Sequence, residues 1–337
     1  MVLSRRFAVV MAIGLTVGTA WCQQAATSAT ALDPALDRYY SANALYNKKL
    51  YVLAILEYDS FLKQNPAHAK ADLARFGLAL SYFGAAKYAE AEPILAELGR
   101  TGKAGEPEQL ALMRGQCLMK LNRAPDAEKV FEGVAAGSAR KHQSAAFSAM
   151  AEVSFVQGKW PQTLQWADKL LAMSSNDVWS CRAAYQAAYA CQQLRQHEAA
   201  IQRLRDLIPR LKDDAALASQ SSFLLGECCR EIGRHADAVS AYGIALSNAQ
   251  DTAAVEIQFR VGVAHLEMGK PAPAIEAFRQ ALEKKPPAEL KDKVSLYLGR
   301  AMVESGDPKG AIQILQPLTQ LNPVSYTHLT LPTNREV

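Results

Sequence analysis

The chain contains none of the short motifs that carry catalysis or cofactor binding. HExxH, G-x-S-x-G, the P-loop and G-x-G-x-x-G are all absent, so metalloprotease, esterase, nucleotide and dinucleotide chemistries lack their usual local frameworks. No CxxC occurs, which removes the spacing of zinc and thioredoxin-like sites. No run of five Lys or Arg occurs either, and with it goes the footprint of a nucleic-acid binder. Beyond residue 18 there is no apolar stretch near the roughly 20 residues a membrane span requires. A dedicated enzyme, a metal site, a nucleic-acid protein and a multi-span membrane protein are all disfavoured. No cofactor is expected.

The N-terminus is distinctive. Arg5 and Arg6 precede the 12 apolar residues Phe7 to Gly18, and small residues Thr19 and Ala20 follow. A basic segment, a short apolar segment and a small-residue end make a secretory signal peptide, here assigned to residues 1–22. Cleavage after Ala20 or Cys22 and release into the periplasm are expected. Anchoring of an acylated Cys22 to a membrane is the alternative, opposed by Trp21 where such signals place a small residue. Loss of Arg5 and Arg6 lowers the formal charge from +4 to +2, which is nearly neutral.

Self-similarity fills the rest. Ala54, Ala91, Ala127, Thr163, Ala200, Ala238, Ala274 and Ala311 recur at spacings of 36 to 38 residues, and twelve residues before each stands Ala or Gly, from Ala42 to Gly299. Small residues at fixed places on two successive helices mean close helix approach. Between them lie Gly158, Gly233, Gly269 and Gly306, suited to a left-handed helix end. Pro125, Pro161, Pro271 and Pro308 follow two or three residues after this turn, at helix starts. Each unit therefore reads as helix–turn–helix.

These residues resemble the tetratricopeptide repeat family. Val255 to Pro286 carries its pattern most fully, at Gly262, His265, Gly269, Ala274, Phe278, Ala281 and Pro286. The resemblance implies an all-α solenoid of about eight repeats over residues 33–323, starting near 35, 72, 108, 144, 181, 219, 255 and 292 and winding into a right-handed superhelix. Bulky Phe61, Leu98, Leu170, Leu207 and Leu318 at the twenty-seventh position, where the family favours Ala, predict looser packing between repeats. The final "VSYTHLTLPT", Val324 to Thr333, resembles a translated sequencing-library adapter. Residues 324–337 are therefore expected to be a non-native tail on a truncated chain.

The family binds partners on its inner face, built from the second, fifth, ninth and twelfth positions of first helices. Carried over, the resemblance nominates Tyr39, Tyr46, Phe76, Leu80, Phe83, Tyr185, Tyr189, Phe223 and Phe259, with Arg182, Arg230, Glu227 and Glu231 adding polar selectivity. Two accounts of this face stay open: an apolar groove for a partner's helix or extended segment, or packing between repeats. His197 and His235 stand where other copies have Tyr51, Tyr88 and Trp160, so ring packing explains them better than metal binding. Cys117, Cys181, Cys191, Cys228 and Cys229 are expected to be free thiols, with Cys191 and Cys229 the one pair equivalent in adjacent repeats. The functional expectation is a non-catalytic scaffold of the cell envelope whose partners are envelope proteins or their segments. The alternative is the repeat region of a larger enzyme or transporter subunit, with its working domain beyond Pro323.

Overall fold

The computed structural model describes residues 34–137, 140–173 and 178–319. The segment expected to be a signal peptide, residues 1–22, and the expected non-native tail, 324–337, lie outside these. The described residues form sixteen α-helices, one short 3-10 turn and no strand, grouped into two units that divide after Ala136.

The first unit holds three helical hairpins: α1 (Pro34–Asn47) with α2 (Tyr51–Gln64), α3 (Ala71–Gly84) with α4 (Tyr88–Thr101), and α5 (Pro107–Lys120) with α6 (Ala124–Ala135). The second holds five. They are α7 (Arg140–Val156) with α8 (Trp160–Met173), α9 (Val178–Gln193) with α10 (His197–Leu207), α11 (Ala215–Glu231) with α12 (His235–Ser247), α13 (Asp251–Glu267) with α14 (Pro271–Glu283), and α15 (Ala288–Glu304) with α16 (Pro308–Thr319). Within each unit every helix packs on its neighbours in the chain, and first helices of consecutive hairpins also touch, as α1 does α3 and α9 does α11. That one-dimensional pattern of neighbour contacts defines a solenoid.

The spacing of small residues has a direct steric cause. A Cβ placed on Gly115 would lie 2.3 Å from the Phe131 ring; on Gly226, 2.3 Å from Tyr242; on Gly262, 2.4 Å from Phe278. In each case the first helix offers a bare backbone on which the aromatic of its own second helix lies. Where the first-helix residue is Ala79, Ala151 or Ala188, the corresponding second-helix residue is Leu95, Ala167 or Leu204, while Ala42 corresponds to Tyr58 and Gly299 to Leu315. A small first-helix residue is kept in every hairpin, whatever the size of the side chain opposite.

The turns within the hairpins are more uniform than their sequences. At all eight, the second residue after the first helix adopts a left-handed backbone: Lys49, Ala86, Asn122, Gly158, Arg195, Gly233, Gly269 and Gly306 have φ between 58° and 89°. The following N–H bonds back five residues, as Leu50 does to Leu45 at 2.9 Å and Arg234 to Cys229 at 2.8 Å. This is the Schellman closure of a helix C-terminus. Glycine marks four of the eight; the other four adopt the same geometry without it.

Phe61, Leu98, Leu170, Leu207 and Leu318, the bulky residues at the twenty-seventh position, are all buried in the core, where apolar burial is favoured by about 25 cal/mol per Å².

Candidate partner-binding face

The nine nominated side chains fall into two sets. Tyr39 and Tyr46 on α1 and Phe76, Leu80 and Phe83 on α3 belong to the first unit; Tyr185 and Tyr189 on α9, Phe223 on α11 and Phe259 on α13 belong to the second. Eight are half-buried, with one side on the core and the other towards solvent, and Phe259 is fully buried. None is freely exposed.

Their contacts explain this. Tyr39 lies edge-on to Tyr58 at 6.4 Å and against Phe61 at 5.7 Å; Tyr46 packs on Tyr51 at 5.6 Å and Phe83 on Tyr88 at 5.5 Å. Tyr189 sits between Phe155 at 5.2 Å and Trp160 at 5.6 Å, and Phe223 leans on Tyr242 at 5.8 Å. Burial pushes the Tyr185 phenol up to about 12, with Tyr189 adding to the shift. Phe259 departs from the nominated role. Tyr297 of the next first helix meets it edge-on at 5.1 Å, Phe278 lies at 5.8 Å, and the Lys293 ammonium stands 4.9 Å above the ring. It is core, because the following repeat brings a large aromatic where others bring Gly77 or Ala149.

The polar side chains also have partners. Arg182 grips both carboxylate oxygens of Glu152 at 3.3–3.4 Å, and Gln186 donates to the same carboxylate. On α11 and α13, Arg230 reaches Glu267 at 3.0 Å and Glu231 at 3.4 Å, while Glu227 lies 3.7 Å from both Arg230 and Arg260. Glu227 also accepts a hydrogen bond from the Tyr242 hydroxyl, whose pKa is raised by burial and by that carboxylate. Arg260 closes the set on Glu256 at 3.1 Å. Glu152, Glu227 and Arg230 lie at first-helix positions, the ninth and twelfth, that Tyr189 and Phe83 occupy in their own repeats. Sequence reasoning named Arg182, Arg230, Glu227 and Glu231 but not their pairing, although the opposite charges of Arg230 and Glu267, 37 residues apart, were a readable signal.

Chemistry of other kinds finds little footing. Among the described residues no cluster of His, Cys, Asp and Glu is placed to hold a metal. The five cysteines from Cys117 onward are free thiols, so Cys191 and Cys229 are unpaired, and all but half-buried Cys181 are buried. Burial pushes the Cys117 and Cys228 thiols up to about 12, the opposite of nucleophile activation. The site of His197 and His235 is a ring-packing place elsewhere: Tyr51 lies tilted against Tyr46, and Tyr88 and Trp160 meet Phe83 and Phe155 edge-on, each near the end of the preceding helix. No described helix is long and apolar enough to cross a membrane.

Comparison with known proteins agrees with this architecture. Profiles of the tetratricopeptide repeat match residues 76–141, 185–254 and 265–328. Among solved structures, the apo form of RapI is similar with a TM-score of 0.59 at 13% identity, over 86% of this chain and 88% of that one. A tetratricopeptide repeat protein from Parabacteroides merdae ATCC 43184 is similar with a TM-score of 0.53 at 14% identity, over 80% of this chain and 98% of that one. No curated protein matches the sequence. With more than half of its residues under the repeat's own profiles and eight hairpins of the required geometry, the chain belongs to the tetratricopeptide repeat family.

Proposed function

We propose that the protein is a non-catalytic scaffold, exported to the periplasm, that holds helical or extended segments of envelope proteins on its first-helix face. The observation that carries the reading is the state of that face in the first unit. Leu73, Phe76, Leu80 and Phe83 on α3 stand beside Tyr39 and Tyr46 on α1, each half-buried and half open. Side chains held by the core on one side and open on the other lose little freedom on binding, which is what aromatic anchors need. In the second unit the Glu227–Arg230–Arg260 network would select for polar groups and fix register. The leader before α1 supports export.

Double substitution Leu80→Ala with Phe83→Ala tests this. Partner segments crosslinked to the full chain in envelope extract should be lost, while the melt falls only by the packed half of each side chain, short of the roughly 3–5 kcal/mol of a full core truncation. Unchanged crosslinking would refute the assignment of this face. The alternative, the repeat region of a larger enzyme or transporter subunit, is decided by recovering the intact gene.

A further inference from the structure

We infer that the outward side of α2 is a self-association surface, on which two copies of this chain pair about a two-fold axis. The helix carries two apolar stripes where a surface helix has one. Ala54, Ile55, Tyr58 and Phe61 face the core. On the other side Val52, Leu53 and Leu56 are exposed to 59, 48 and 60%, and Leu50 just before the helix to 46%. The fold does not ask for this. At the same three register positions, the other seven second helices carry no Val, Leu, Ile or aromatic; in α12 they are Ala236, Asp237 and Ser240. Seven repeats serve as internal controls for one. Apolar side chains clustered on a surface that is otherwise polar mark an interaction site.

The stripe is complementary to itself. Residues at spacings of three and four share a helix side, so an antiparallel crossing centred between Leu53 and Leu56 sets each against the other in the second copy. Leu56 then faces the shallow concavity of about 310 Å³ lined by Lys49, Leu50, Tyr51, Val52, Leu53 and Ala85. The same crossing brings Lys49 of one copy to Asp59 of the other, twice, by symmetry. Asp59 holds Lys63 at 3.0 Å on an exposed surface, an arrangement weak enough to be exchanged. Glu57 and Asp59 stand among Lys48, Lys49 and Lys63 beside the stripe, so charges of both signs flank it, which a second copy can match and a uniformly anionic bilayer cannot. Four half-exposed side chains offer less than the roughly 800 Å² per partner of a stable complex. The pairing is therefore a reversible, concentration-dependent dimer.

Sedimentation velocity of the full chain across a concentration series is the test. The average mass should climb towards twice the monomer, and Leu53→Glu with Leu56→Glu should hold it at the monomer with an unchanged melting temperature. Lys49→Asp, which suits the left-handed backbone there, should weaken the dimer by about ten-fold, and adding Asp59→Lys should restore it. That rescue cannot come from a folding defect, so it decides the matter even if the Glu pair destabilises the chain. A wild type that stays monomeric throughout, or a dimer indifferent to all these changes, overturns the inference. So does a monomer that floats with phosphatidylglycerol vesicles and loses this with the Glu pair, which would assign the stripe to lipid.

Discussion

At the scale of single residues, glycine has two separate uses here, and they predict opposite outcomes. Gly226 is bare because the Tyr242 ring occupies the space of its Cβ, 2.3 Å away. Gly226→Ala must push that ring aside and with it the hydroxyl bonded to Glu227, costing about 1–3 kcal/mol. Gly243, in the middle of α12, has nothing within 4 Å of a built Cβ. Gly243→Ala should stabilise by about 0.5–1 kcal/mol through helix propensity. Urea titration of both variants checks the contrast, and equal effects would refute the steric account. A second residue-scale prediction concerns His265. Burial and Lys270 lower its pKa from the ordinary 6.5, and its Nδ1 is buried with no hydrogen-bond partner. The unfolded chain therefore takes up this proton at a higher pH than the folded one. Its contribution to stability is complete above 6.5 and is lost as pH falls through that value. His265→Leu should flatten that part of the stability profile measured between neutral and mildly acidic pH.

At the scale of the element, the repeated unit is the hairpin with a left-handed residue between its helices. Gly158, Gly233, Gly269 and Gly306 were legible as turns because only glycine adopts such backbone without strain. Lys49, Ala86 and Arg195 were not, since nothing in their side chains calls for it, whereas Asn122 is of the type that adopts it most readily after glycine. There the bond closing the helix and the packing of the second helix impose the geometry. Ala86, at φ 58°, should carry the strain in its clearest form. Ala86→Gly is expected to gain a few tenths to about 1 kcal/mol, the left-handed cost outweighing the added chain entropy. Thermal unfolding of the variant measures it; a lower melting temperature would mean the turn holds no strain.

At the scale of the whole molecule, each hairpin depends on its neighbours, and so does the availability of each nominated contact. Phe76 and Phe259 occupy the same register, yet Phe76 is half open while Phe259 is closed over by Tyr297 and Lys293. Export is the property that concerns the chain as a whole, and reading residues 1–22 as a signal peptide predicts it. Produced in a Gram-negative host, the protein should be recovered from the periplasm with a mature terminus between Trp21 and Gln23, read by intact mass. A diacylated Cys22 or a retained leader would contradict this.

The sequence by itself determined the hairpin and its count, because small residues must recur at fixed places on two successive helices wherever those helices approach so closely. It made free thiols the expectation for the cysteines and left Cys191 and Cys229 as the one pair to be inspected. Only the tertiary structure decided which aromatics keep an open side, how Arg182, Arg230 and Glu227 are paired, and which helix carries a second apolar stripe to the surface. Those depend on what the adjacent repeat places opposite each side chain, and a periodic pattern specifies the position of a residue without specifying its neighbour.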